Sequence, residues 1–440
     1  MLKMVYSLCA FLLMLTSSVL AEQTQMLASL GTGRLTAGPE SLRSVDKVLA
    51  QLNLRLRNYP QDYEAQLLRG LVYFKAGEIA RALDELDSLL EKVPDFHLAQ
   101  MVRGDILLSR VTPLRGIGNN QFLNQLNSEQ RRQLEALRLE ATVRLKGARS
   151  SIMAFDRAAQ RLPKQILKLG ESVEYAVLVE KSSHRFYLYQ RQPDQPPKLV
   201  RSYYVSTGKK EGNKSVRGDL RTPEGVYFIT TWIPQEKLPD KYGVGAFPLN
   251  YPNELDRRQG KTGYGIWLHG TESRYYSRPP LDSEGCMVLT NIDFNSLKKE
   301  MQPGATPVVI VENIDWLSKD EWWRERNRLL SDLERWRQDW ESLDVDRYLS
   351  HYSDDFWSKG YNLKSWSQRK RRIAKNKSYQ KIKLSDISLL AYPQTGSDKK
   401  EIVVARFQQD YRSSNYNNDV GKRLYLQRNN NNWKIIYEGY

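Results

Sequence analysis

The chain has 440 residues, which at roughly 150 residues per domain implies about three domains and excludes a single small module. With 40% hydrophobic and 27% charged residues it can bury proper cores, so neither a disordered tail nor a multi-span membrane protein fits. The formal net charge is +16, and only two cysteines and four histidines are present; so few argue against a His/Cys metal site, although that count does not exclude a carboxylate-rich one.

Residues 1–21 carry a cationic start, an apolar run from Met4 to Met14 and a small-residue exit ending in Val19-x-Ala21. That pattern predicts a cleavable secretion signal; an uncleaved membrane anchor is the alternative. Cys9 lies inside the apolar run without a small residue before it, so it does not resemble a lipidation site. Removal of the signal leaves Cys286 as the one thiol, and in an oxidising compartment it is then a buried filler, an intermolecular bridge or a reactive nucleophile.

The next segment repeats itself. Ala65 matches Ala99, Leu68 matches Val102, Arg69-Gly70 matches Arg103-Gly104 and Pro60 matches Pro94, with apolar residues at helical spacing and small residues at Gly70 and Ala82. An earlier half unit lies in Val48, Leu49, Leu52 and Leu56, and a last helix is predicted from Ser128 to Leu145. These units resemble tetratricopeptide hairpins, so residues 22–165 are expected to form an α-helical domain that either spaces or dimerises the protein or binds a partner. From Leu162-Pro163 onward the period changes to alternation: Tyr175–Val179, Arg185–Tyr189, Val200–Val205, Gly225–Ile229, Gly265–Leu268 and Val308–Val311 read as strands of a β-rich domain over residues 172–313. Beyond Asp320, Trp322, Leu329, Leu333, Trp336, Trp340, Leu343, Tyr348, Tyr352 and Phe356 mark amphipathic helices. Four antiparallel strands are predicted after them, at 382–390, 402–411, 423–428 and 433–437. Helices followed by a meander make an α+β domain over 320–440 that resembles the nuclear-transport-factor-2-like (NTF2-like) cup.

Candidate chemistry sits in the middle domain. The stretch Gly263-Tyr264-Gly265-Ile266-Trp267-Leu268-His269-Gly270-Thr271 is followed, fourteen residues after His269, by Ser283-Glu284-Gly285-Cys286. A strand delivering an imidazole, then a loop, then a Gly-preceded cysteine is an arrangement in which the imidazole can take the thiol proton and adjacent N–H groups can hold an oxyanion. Together with Ser206-Thr207-Gly208 and the run Arg221-Thr222-Pro223-Glu224-Gly225-Val226-Tyr227, this order resembles the L,D-transpeptidase (YkuD) catalytic domain.

The resemblance implies that Cys286 attacks the carbonyl between meso-diaminopimelate and D-Ala of a peptidoglycan tetrapeptide, forming a thioester. It also implies His269 as base or thiolate partner, the Gly270 carbonyl as the group orienting the imidazole, and backbone N–H groups at Gly285 and Cys286 as oxyanion donors. The family pattern has a second His where this chain has Glu284 and an Asn or Arg where it has Val288. His269 is then the only local imidazole, and Glu284 is expected to point outward or to pair with Arg274 or Arg278. Either arginine can instead hold a substrate carboxylate, and Ser283 and Tyr264 are further candidates for substrate contact. The variant motif, joined to a helical part and a cup, is similar to a branch that includes L,D-carboxypeptidases of helical cells. Water would then resolve the acyl-enzyme where an amine would cross-link or attach a protein. A non-catalytic scaffold that binds the sacculus, and hydrolytic release of an envelope protein, are the competing readings. No metal and no cofactor is assigned.

The run Lys359–Lys383 holds ten Lys or Arg and no acid, including Arg369-Lys370-Arg371-Arg372. Secretion argues against nucleic acid as its partner. Carboxylate-rich peptidoglycan stems are the partner expected for the enzyme, with glycan strands or envelope proteins reached through the helical and cup domains, in a Gram-negative periplasm. Trp366, Tyr361 and Tyr379 either line the mouth of the cup or belong to its core. His97, His184 and His351 are given no role, and no membrane span is expected once the signal is removed.

Overall fold

The computed structural model describes residues 39–112, 116–118, 125–158, 161–394, 400–430 and 432–440. The expected signal segment and Cys9 lie outside the described residues. Among the described residues no helix is long and apolar enough to cross a membrane, and no group of His, Cys, Asp or Glu has the arrangement of a metal site.

The N-terminal domain consists of helices Pro39–Asn58, Tyr63–Lys75, Ile79–Lys92, His97–Leu108 and Ser128–Ala158. Asp62 caps the second helix by accepting the Ala65 N–H at 2.9 Å, which satisfies one of its free amide groups. At Gly70 the hairpin partners come so close that an added Cβ would stand 3.3 Å from Leu86 Cγ, which is why a small residue stands there. Val48, Leu68, Leu86, Phe96 and Val102 form the core between these helices.

In the central domain a five-stranded sheet runs in the order Gln195–Tyr204, Arg185–Gln192, Tyr175–Glu180, Pro307–Val311, Gly225–Phe228. Its strand Pro307–Val311 is buried throughout because it is covered on both faces. Alternate residues serve different cores: Val308 and Ile310 meet Phe247, Leu268 and Met287 on one side, while Val309 and Val311 face Tyr392, Val404 and Tyr425 of the C-terminal domain on the other. A second sheet holds Met287–Val288, Trp267–His269, Gly245–Pro248 and Ile233–Pro234.

The C-terminal domain wraps a seven-stranded sheet round the helix Lys319–Glu341, which opens with a capping box between Ser318 and Glu321. Trp322, Leu329, Leu333 and Trp336 pack onto Leu389, Val403, Phe407 and Leu424 of that sheet. Two expectations need correction. Tyr352 and Phe356, predicted on a helix, lie on the strand Tyr352–Ser358, because a spacing of four residues satisfies strand alternation as well as a helical turn. Residues 161–165, expected to close the helical domain, belong elsewhere. Arg161–Pro163 pairs antiparallel with Trp316–Ser318, and Ile166–Lys168, just beyond, is the edge strand of the C-terminal sheet through Leu389 and Leu390. Trp366 is buried, whereas Tyr379 is exposed.

Candidate active site

The short strand Trp267–His269 sits between two neighbours. It pairs antiparallel with Gly245–Pro248 and parallel with Met287–Val288, with Leu268 opposite Met287 and His269 opposite Val288. The parallel register puts Cys286, the residue just before Met287, beside the same strand that carries His269. Both side chains line one cleft of about 490 Å³.

Each is held by a backbone carbonyl. His269 Nδ1 donates to the Gly270 carbonyl at 2.6 Å, which leaves Nε2 as the unprotonated nitrogen. The Cys286 thiol donates to the Gly265 carbonyl at 3.4 Å. Burial pushes the imidazole down to about 3. Burial likewise pushes the thiol up to about 11, with Glu284 adding to the rise and the Trp267 N–H, Arg278 and Lys241 opposing it. In the unliganded site the pair is therefore neutral on both members.

The turn that carries the thiol is tightly built. Gly285 adopts φ +125°, and a Cβ there would lie 2.7 Å from the Arg221 carbonyl oxygen. The Ser283 hydroxyl donates to the Cys286 carbonyl at 2.6 Å and accepts the Gly285 N–H at 3.1 Å. Two expectations change as a result. Ser283 braces the turn with the hydroxyl expected to meet substrate, and the Gly285 N–H expected at the oxyanion is already engaged, so Cys286 N–H is the remaining donor of that pair.

Tyr264 is exposed on the rim, its hydroxyl accepting from Arg217 Nη2 at 2.8 Å. Arg278 lines the cleft, with Nη2 donating to the Lys241 carbonyl at 2.9 Å and Nε to Thr271 Oγ1 at 3.3 Å. Its acidic partners are Glu272 at 3.4 Å and Asp282 at 3.9 Å. Arg274 is not part of the lining; its guanidinium projects into solvent and pairs with Glu272 at 3.0 Å. Glu284 lines the cleft and is exposed, as expected of an outward-pointing side chain, while both arginines take Glu272 as partner.

Three contributors carry no sequence signal. Lys241 and Tyr242 come from a loop far from the motif, and the Tyr242 ring stands edge-on to His269 at 5.0 Å. Asn291 pins the His-Gly-Thr segment from behind, its Oδ1 accepting from Thr271 N at 3.0 Å and its Nδ2 donating to the Thr271 carbonyl at 2.9 Å.

In the C-terminal cup the basic run is only partly a solvated face. Arg371 pairs with exposed Asp346, but Lys370 turns inward over the rings of Trp366 at 4.5 Å, Trp340 at 4.9 Å and Tyr348 at 5.1 Å. Burial pushes its ammonium down to about 8, against the pull of Glu438. Lys422 completes the cluster with an ion pair to Glu438 at 2.6 Å.

Comparison with known proteins follows the same division. Residues 174–310 match the L,D-transpeptidase catalytic domain, residues 328–439 the Cds6 C-terminal NTF2-like domain, and residues 49–95 and 67–112 the tetratricopeptide repeat. A structure of Bdellovibrio bacteriovorus Bd1075 is 30% identical, with a TM-score of 0.56, and the match covers 63% of this chain and 97% of that one. The chain belongs to the L,D-transpeptidase (YkuD) family. It is also similar to the helical cell shape determining protein Pgp2 from Campylobacter jejuni, at 28% identity and a TM-score of 0.53 over 62% of this chain and 95% of that one. A point mutant of Pgp2 matches at 27% identity and the same TM-score, over 63% and 94%. No curated protein matches. As an L,D-transpeptidase-family chain this protein is peptidoglycan-related, and its three parts are a tetratricopeptide-type helical domain, a β-rich YkuD domain and an NTF2-like α+β domain.

Proposed function

We propose that this protein is an exported cysteine enzyme of the envelope that attacks the meso-diaminopimelate to D-Ala bond of stem tetrapeptides. The observation that carries the reading is the pairing of Cys286 and His269 in one cleft, with the Nδ1 proton of the imidazole committed to Gly270. His269 Nε2 takes the thiol proton as Cys286 Sγ bonds to the scissile carbonyl carbon, and the oxyanion falls to the Cys286 N–H. Collapse breaks the C–N bond, the imidazolium returns its proton to the departing D-Ala amine, and a thioester remains. Lys209, Lys241 and Arg278 around the cleft suit a substrate rich in carboxylates.

An amine resolves the thioester into a 3-3 cross-link or a protein attachment; water trims the stem to a tripeptide. Glu284, exposed in the cleft beside the thiol, favours the second outcome as an alternative, since a carboxylate there can accept a proton from water. Incubating the purified protein with tetrapeptide muropeptides and reading products by mass spectrometry tests both. A dimer means transpeptidation, a tripeptide alone means carboxypeptidation, and an unchanged tetrapeptide removes the enzyme reading. Cys286→Ala should abolish either product.

A further inference from the structure

The segment 272–278 begins at the cleft, leaves it and returns, and three consecutive residues in its middle touch the helical domain. The Tyr275 ring stands edge-on to His97 at 5.9 Å. Tyr276 is 6% exposed and inserted into the helical core, 4.2 Å from the Phe96 ring and 6.2 Å from Tyr63. Ser277 Oγ donates to Glu140 Oε1 at 2.7 Å. The next residue is Arg278, which faces the cleft.

A second route, joined to the first where Arg144 Nε donates to Glu140 Oε1 at 2.8 Å, also reaches Arg278. Glu64 of the helical domain accepts from Arg144 at 3.0 Å and from Arg185 of the central sheet at 2.7 Å. Arg144 lies 3.9 Å from the centre of the Tyr204 ring. Tyr204 in turn donates its hydroxyl to the Arg278 carbonyl at 2.8 Å. Gly147 allows this close approach, since a Cβ there would fall 2.3 Å from Arg185 Nε. Held at the preceding residue and at its own carbonyl, Arg278 presents its side chain from a fixed backbone before substrate arrives.

We infer that the N-terminal helical domain is part of the catalytic apparatus: it grips residues 275–277 and so sets Arg278, the cleft cation that receives a substrate carboxylate. The identity of the ligand rests on the proposed function; the grip does not. Tyr276, Ser277 and Glu140 are positioning residues, acting through Arg278 without touching substrate.

The test uses the full-length protein with Tyr276→Ala/Ser277→Ala, compared with Arg278→Ala and Tyr276→Phe. Two readouts are taken: KM and kcat on tetrapeptide, and the pH midpoint of Cys286 alkylation by iodoacetamide, which responds to Arg278 because that charge lowers the thiol pKa. The double variant should behave like Arg278→Ala, with KM raised about tenfold and kcat within about threefold, as expected for loss of a charge-assisted contact made in ground and transition states alike. Its alkylation midpoint should move up in parallel, and Tyr276→Phe, which keeps the ring contacts, should restore both. A double variant that melts like the parent and keeps its KM and midpoint, while Arg278→Ala loses both, overturns the inference. If the parent makes no product from tetrapeptide but the midpoint still moves, the substrate reading fails and the grip stands. Should the double variant unfold, Ser277→Ala alone carries the test, with smaller changes in the same direction expected and no change overturning it.

Discussion

At the residue scale the neutral thiol and imidazole set the behaviour of the resting site. With the thiol raised to about 11 and the imidazole lowered to about 3, little thiolate exists at neutral pH. Iodoacetamide should therefore modify Cys286 about tenfold faster per pH unit between roughly pH 7 and 10, without a plateau near neutrality. His269→Ala should leave that profile within about threefold while tetrapeptide turnover falls by about 10²–10⁴, the range for removing a general base. A preformed thiolate–imidazolium pair predicts the opposite: a plateau at neutral pH that collapses in the variant. The nearness of His269 and Cys286 is legible in the sequence because both sit in one short motif. Lys241, Tyr242 and Asn291 are not: the first two come from a turn distant in sequence, and Asn291, at the start of the helix Asn291–Leu297, carries no spacing that marks it as a brace for the His-Gly-Thr segment.

At the scale of elements, the turn after the Leu281–Ser283 strand is the part least tolerant of change. Gly285→Ala places a Cβ against the Arg221 carbonyl at a φ that L side chains rarely adopt. We expect it to cost about 1–3 kcal/mol and to displace Cys286, seen as a lower melting temperature together with loss of alkylation selectivity. An unchanged melting curve and product yield would show that the turn relaxes freely. The glycine itself is readable, because a Gly before a candidate nucleophile is a motif, but the reason for it is a backbone oxygen contributed by another loop. Tyr352 and Phe356 illustrate the reverse difficulty. Their spacing is compatible with a helix or a strand, and only pairing with Asn432–Gly439 decides for the strand.

For the whole molecule, stability in acid depends on groups spread over all three domains. Burial holds His184 down at about 4 and His269 at about 3, against an ordinary value of 6.5. Both bind protons more readily when unfolded, so their contribution is lost as pH falls from 6.5. Asp293, pushed up to about 7 by burial and by Asp62, works against them over part of that range, because the folded form holds its proton more tightly. Below pH 4.5 the balance tips. Glu64, held at about 2 against burial by Arg185, Arg144 and Arg55, and Glu438, held at about 2 against burial by Lys422 and Lys370, must then also be protonated on unfolding. The melting temperature should decline gently from pH 6.5 to about 4.5 and steeply below it. Glu64→Gln, which leaves Arg144 and Arg185 buried without their shared anion, should lower stability by about 3–5 kcal/mol at pH 7 and flatten the acid limb. A melting temperature equal to the parent at pH 7 would count against this network as a structural tie.

The strand Ile166–Lys168 has a consequence for how such a chain comes together. Just after it, Gly170 N–H bonds to Ser388 Oγ at 2.9 Å across a separation of 218 residues. Its place is the border of a sheet whose other strands all come after residue 350. As the chain emerges from a ribosome, this strand appears first and must wait, unpaired, while the whole YkuD domain passes. The C-terminal sheet therefore reaches its full width only once Asn432–Gly439 has also emerged, and a fragment beginning at residue 172 or 320 would expose the Gln380–Ala391 edge at Leu389 and Leu390, a ready template for aggregation.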